Sequence, residues 1–298
     1  MPSGPVRRPP HELAFAAAIR AARVKAGGTR ASGTTGYGRS ARYVMRTMEG
    51  AGYRVRKQVF TFPFWRDLSD PVLQQVTPTS AEYETATYTY SGSVDVTGQL
   101  IPTNDVEIPP QVASTSGCEP GDFEQAPDQP AVALIQRGTC TFEIKAANAE
   151  AAGYDAVIIF NEGQEGRTEF LTGTLGVPFD IPVVGLSFAD GQALYQATQQ
   201  GEVTVRVFAD TEINLEAKTS NILATSRSGD PEETLVVDAH LDSVVEGPGI
   251  HDNGSGVSAL LEIAKEMEDL RREPRQRVRF AFWGAEESGL LGSTHHRC

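Results

Sequence analysis

Residues 234–261 read TLVVDAHLDSVVEGPGIHDNGSGVSALL, and residues 277–293 read RVRFAFWGAEESGLLGS. Each opens on a short apolar run rich in β-branched or aromatic residues, the pattern of a strand buried in a sheet. Each run ends on side chains that carry chemistry. Between the two, Val257, Leu260, Leu261, Ala264, Met267 and Leu270 recur at helical spacing, so VSALLEIAKEMEDL is expected to be a helix. Strand, helix and strand in that order predict an α/β sheet whose apolar strands are buried on both faces.

The polar groups fall where such a sheet presents them. His240 stands at the carboxyl end of the first strand, the edge that faces the ligand crevice in an open α/β sheet, and its imidazole suits a divalent metal. Asp242, two residues on, points to the same side if the strand continues, and is placed to orient His240 through its other ring nitrogen. Asp252 lies in a glycine-rich turn just before the helix, where its two oxygens are free to bridge two cations; equally, Asp252 or Asn253 suits as the helix cap. Glu286 and Glu287 follow the second strand. Adjacent acids repel unless a cation is present, and one can ligate metal while its neighbour takes a proton from water; the alternative is a solvated pair at a helix start. Zinc is the natural metal for mixed imidazole and carboxylate ligands. The chain has no HExxH, no GxSxG and no P-loop to suggest other chemistry.

Working outward, 298 residues with 40% hydrophobic content suffice for a real core, in one large domain or two ordinary ones. A net charge of -13 argues against nucleic acid or anionic membrane as partner, because no basic stripe exists to neutralise phosphates. No apolar run is long enough to span a bilayer. The apolar stretch Leu13–Ile19 superficially resembles a signal peptide, but Arg20, Arg23 and Lys25 follow at once, and an amphipathic helix is expected instead. Of three cysteines, Cys118 and Cys140 flank a loop that a disulfide can close or that two buried thiols can border, and Cys298 is left over.

Residues 36–50 read as a helix between glycine stops, and YRVRKQVFTF after it alternates like a strand. Residues 63–90 show no clear period. From 91 to 211 a β-rich unit with one strong helix is expected, since PAVALIQRG, DAVIIF and IPVVGLS are short apolar runs and TFEIKAANAEAAGY between the first two is helical up to Gly153.

The stretches VVDAHLDSVVEGPGIHDNGSGVSALLEIA and VRFAFWGAEESGLLGS resemble the M28 family of zinc exopeptidases, specifically its bacterial secreted, aminopeptidase Y-like members. The resemblance implies two zinc ions, with His240 binding one, Asp252 bridging both, Glu287 binding the other, Glu286 as general base and Asp242 buttressing the histidine. It also implies a cis peptide after Asp252, with strain at Asp252 and Asn253. His251 stands where an asparagine is expected. GCEPGDF, AVALIQRGTCTFEIKAANAEAAGYDAVIIFN and IPVVGLSFADG resemble a protease-associated (PA) domain, in which cysteines at the positions of Cys118 and Cys140 are commonly bridged; an extracellular location follows by implication. TRASGTTGYGRSA looks like the opening of the peptidase domain.

The expected architecture is therefore an α/β zinc-exopeptidase sheet, phosphorylase/hydrolase-like, with helices on both faces, split into 1–90 and 212–298 by a PA insert at 91–211. The expected activity is hydrolysis of N-terminal residues from peptides. In the family the remaining ligands, an aspartate and a histidine, lie well downstream of the glutamate pair. The sheet is thus expected to be incomplete, with RVRFAFW at or near an uncovered region and activity impaired; His295 and His296 are expected to be solvated. A carboxypeptidase of the same family, and a non-catalytic peptide-binding module carried by the PA domain, are the alternatives.

Overall fold

The structure is a computed structural model that describes residues 28–270 and 273–297. The helix expected around Leu13–Ile19, and Cys298, lie outside the described residues. In chain order the elements are α1 (Thr35–Gly50), β1 (Arg54–Asp67), β2 (Val72–Thr77), β3 (Ala81–Tyr83), β4 (Ala86–Thr87), β5 (Val94–Pro102), β6 (Ala131–Gln136), α2 (Phe142–Ala151), β7 (Ala156–Phe160) and β8 (Val183–Leu186). There follow α3 (Phe188–Thr198), β9 (Thr204–Ala209), β10 (Thr211–Thr225), β11 (Asp230–His240), α4 (Gly254–Asp269), β12 (Gln276–Trp283) and α5 (Leu291–Arg297). Among the described residues no helix is long and apolar enough to cross a membrane.

The elements sort into two units, one holding the described residues up to Phe64 and from Asn214 onward, the other Trp65–Ile213. The second unit thus starts well before residue 91. The reason is pairing: β2 joins β3 and β9, and β4 joins β8, so these short strands belong to the inserted sheet. Residues 63–90, whose composition suits extended segments and loops without a clear period, do hold strands, of which β3 and β4 are too short to show one.

The inserted unit is an eight-stranded sheet in the order β3-β2-β9-β5-β6-β7-β8-β4, with β5 to β8 parallel. Alternate residues of β6 feed two cores. Ala131, Ala133 and Ile135 pack with Ala146 and Ala149 of α2, while Val132 and Leu134 pack on the other face with Leu194 of α3. The expected strand, helix, strand crossover is β6-α2-β7. A second helix, α3, was not expected: Gly191 interrupts its pattern, yet a Cβ there would stand 2.2 Å from Cγ of Phe160, so only glycine lets α3 lie on β7. Cys118 and Cys140 form a disulfide with their Cα atoms 5.7 Å apart.

In the other unit the sheet order is β1-β10-β12-β11, with β12 antiparallel to β10 and parallel to β11. Tyr37, Ala41, Val44 and Met48 line one face of α1, and Val257, Leu260, Leu261 and Ala264 one face of α4; both pack with Ile222, Ala224, Val278, Phe280 and Phe282 on one side of the sheet. On the opposite side, α5 sets His296 against Trp283, ring centroids 5.2 Å apart. Helices therefore stand on both faces, as expected.

One expectation about this sheet holds and one needs correction. RVRFAFW lies next to an open edge, as expected, since β12 runs between β10 and β11 and β11 has no further neighbour among the described residues. It is β11 that lies at the edge among the described residues, and Leu235 and Val236, read as buried on both faces, are 50% and 44% exposed. An apolar run signals a strand but not its place in the sheet, and a strand with one neighbour keeps only its inner contacts.

Candidate metal centre

Because β11 and β12 are parallel and His240 sits in register with Trp283, the groups that follow both strands gather at one edge of the sheet. The N-terminus of α4 joins them there. Its cap is Asn253, whose side chain accepts from the Gly256 N–H at 3.0 Å. This settles the ambiguity between Asp252 and Asn253: the carboxylate of Asp252 is not used for capping and instead reaches His240. The Asp252–Asn253 peptide is cis. Gly249, with φ +53, closes the turn ahead of it, and a Cβ there would lie 2.1 Å from the Asp252 carbonyl oxygen.

His240 is buried, at 8% exposure, and its two nitrogens face different groups. Nε2 lies 2.8 Å from Oδ1 of Asp252 and 3.7 Å from Oε2 of Glu286. Nδ1 lies 3.6 Å from Oδ1 of Asp242, too far for a hydrogen bond, so Asp242 acts on the ring by charge. Asp242 is itself buried and accepts from the N–H of Glu286 at 3.3 Å and of Glu287 at 3.4 Å, one to each oxygen. One carboxylate thus sets the position of the glutamate pair relative to the histidine. His240, Glu286 and Glu287 each offer a ligand atom, all within 4.8 Å of one another.

Electrostatics favour a cation here. Burial alone would push the pKa of His240 down, but Asp242, Glu286 and Asp252 outweigh it and raise it to about 9. Glu287 is raised by burial and by repulsion from Asp252, Asp242 and Glu286, against the pull of His240. Four carboxylates around one imidazole hold an excess of negative charge, which a proton on His240 offsets only in part. A divalent cation on Nε2 and the carboxylate oxygens balances it more fully and displaces that proton. The residues present therefore fit a metal.

Two further groups shape the site without an obvious signal in the sequence. Arg30 is fully buried beside it, its charge opposed by burial and favoured by Asp242, Glu287, Tyr37 and Asp252. Ser32 accepts from the N–H of Ala285 at 2.7 Å, pinning the turn that bears the glutamates. His295 and His296 do not join the cluster; His295 stacks on Phe60 at 4.9 Å, and His296 lies 3.3 Å from Gln58.

Residues 221–297 match the model of peptidase family M28, and residues 96–194 match that of the PA domain. Within the chain, residues 221–297 are therefore a segment of the peptidase family M28 type. An aminopeptidase of Pseudomonas aeruginosa is 41% identical to this chain over 276 residues, covering 90% of it and 50% of the relative. Aminopeptidase Y of Saccharomyces cerevisiae is 33% identical over 277 residues, covering 90% of the chain and 49% of the relative. Among solved structures, the aminopeptidase from Aneurinibacillus sp. strain AM-1 superposes with a TM-score of 0.74 at 28% identity, over 95% of this chain and 64% of that one. A zinc aminopeptidase from Bacillus subtilis superposes with a TM-score of 0.63 at 27% identity, over 96% and 64%. The chain spans about half the length of the curated relatives it matches.

Proposed function

We propose that this chain carries the hydrolytic centre of a zinc aminopeptidase that removes N-terminal residues from peptides. The observation that supports the reading best is the meeting of His240 Nε2 with Asp252 at 2.8 Å and with Glu286 at 3.7 Å at the edge formed by two parallel strand ends. His240 would hold one zinc, Glu287 a second, and Asp252 both, with the charge of Asp242 facing the far side of the imidazole. Zinc bound there supplies Lewis acidity, polarising the scissile carbonyl and acidifying water. Glu286 then acts as general base at Oε2, taking a proton from the attacking water and passing it to the departing amine. The names of the relatives favour the amino end of the substrate, and the Cys118–Cys140 disulfide supports an oxidising, extracellular setting.

An aminoacyl p-nitroanilide and its N-acetylated form test this together. Release of nitroaniline is expected only from the free amine, lost with 1,10-phenanthroline and restored by added zinc. Equal release from the acetylated substrate, or indifference to the chelator, would refute it.

A further inference from the structure

Among the described residues Arg30 makes no ion pair with a carboxylate, although it is one of their largest fully buried side chains. Its guanidinium is spent on main-chain carbonyls. Nε donates to Pro248 O and Nη2 to Gly249 O, each at 2.7 Å, and Nη1 donates to Leu241 O. Leu241 directly follows His240 in the chain. Gly249 O also accepts from the N–H of Gly254 at 3.0 Å, the first residue of α4, directly after the Asp252–Asn253 pair. One rigid fork therefore grips both ends of the loop that separates His240 from Asp252.

The chain on either side of Arg30 extends this grip. Thr29 Oγ1 donates to Val244 O at 2.8 Å, and the Arg30 N–H donates to Ser243 Oγ at 2.9 Å. Ser32, two residues on, holds the glutamate turn through Ala285 and is itself held by Thr219 Oγ1 at 2.9 Å. Three residues of one short stretch, Thr29, Arg30 and Ser32, thus touch the supports of every predicted ligand.

We propose that Arg30 is a positioning residue of the metal centre, whose three-way contact with Leu241, Pro248 and Gly249 sets the distance between His240 and Asp252. The inference rests on the reading of those two residues as zinc ligands. A planar guanidinium offers donors in fixed directions, whereas the ammonium of lysine is a single point that cannot reach three divergent carbonyls at once. Charge alone would be served equally by either.

The test uses the full chain with Arg30→Met and Arg30→Lys, and reads zinc affinity by competition with a chromophoric chelator, alongside the visible spectrum of the cobalt-loaded protein. Cooperative melting of the metal-free protein reports the fold. Arg30→Met is expected to fold, to bind zinc about tenfold to hundredfold more weakly, as loss of a group that orients ligands typically does, and to shift the cobalt bands. Arg30→Lys is expected to keep the charge and the fold but recover only part of the affinity. Wild-type affinity and spectrum in a folded Arg30→Met overturn the inference while leaving the metal reading intact. If Arg30→Met does not fold, Arg30→Lys decides: wild-type affinity there overturns it. Failure of both to fold overturns it as well, making Arg30 a stability residue only. A wild-type chain that takes up no zinc overturns the metal reading, and this inference with it.

Discussion

Glu286→Gln is expected to leave zinc uptake close to that of the wild type and to lower peptide turnover by about 10²- to 10⁴-fold, the range a positioned general base contributes. The amide keeps the size of the carboxylate and one oxygen, and Glu287 keeps its own hold on Oδ2 of Asp242 through its N–H. What disappears is a group that can accept the proton of water. The Glu286 side chain is 30% exposed, so water reaches it, and its Oε2 lies 3.7 Å from His240 Nε2, close to where the metal would sit. Metal content by atomic absorption and kcat on an aminoacyl p-nitroanilide separate the two roles. Turnover within tenfold of the wild type would remove Glu286 as base, and loss of zinc would recast it as a ligand.

Asp242→Ala is expected to be costly in two ways at once. Removing this buried carboxylate leaves the N–H groups of Glu286 and Glu287 without their acceptor, and takes away the negative charge that favours Arg30 and His240. Orphaned donors and an uncompensated buried charge together point to a loss of about 2–5 kcal/mol in stability. Zinc affinity should also fall about tenfold to hundredfold, because the imidazole and the glutamate turn lose their common support. Asp242→Asn, which keeps one acceptor and the shape, should lose less of both. Denaturant melts and chelator competition measure the two effects. A folded Asp242→Ala of unaltered stability and affinity would show that the contacts at 3.3 and 3.4 Å carry little.

The sequence made the site legible where chemistry coincided with periodicity. His240 ends an apolar run, the glutamates end another, and α4 has a clear buried stripe, so their gathering at one edge follows from parallel pairing. The choice between Asp252 and Asn253 as cap was not legible, because both side chains suit the position and only the fold shows that Asn253 takes Gly256. Exposure of Leu235 and Val236 was misread for a different reason: burial is a property of neighbours, and β11 has one. The start of the inserted unit was not legible because β2 and β4 belong to it through pairing with β9 and β8, far along the chain, which no local pattern reveals. Arg30 was hidden most completely. A lone arginine in a Gly/Thr/Ser stretch reads as solvated, and nothing local reveals that three carbonyls far along the chain will surround it.

The most direct test of the whole account is a crystal of the zinc-soaked protein measured on either side of the zinc absorption edge. An anomalous peak about 2.0–2.2 Å from His240 Nε2, shared with oxygens of Asp252 or the glutamate pair, is predicted. Peaks confined to other surface groups, with Nε2 still resting against Asp252 alone, would contradict it.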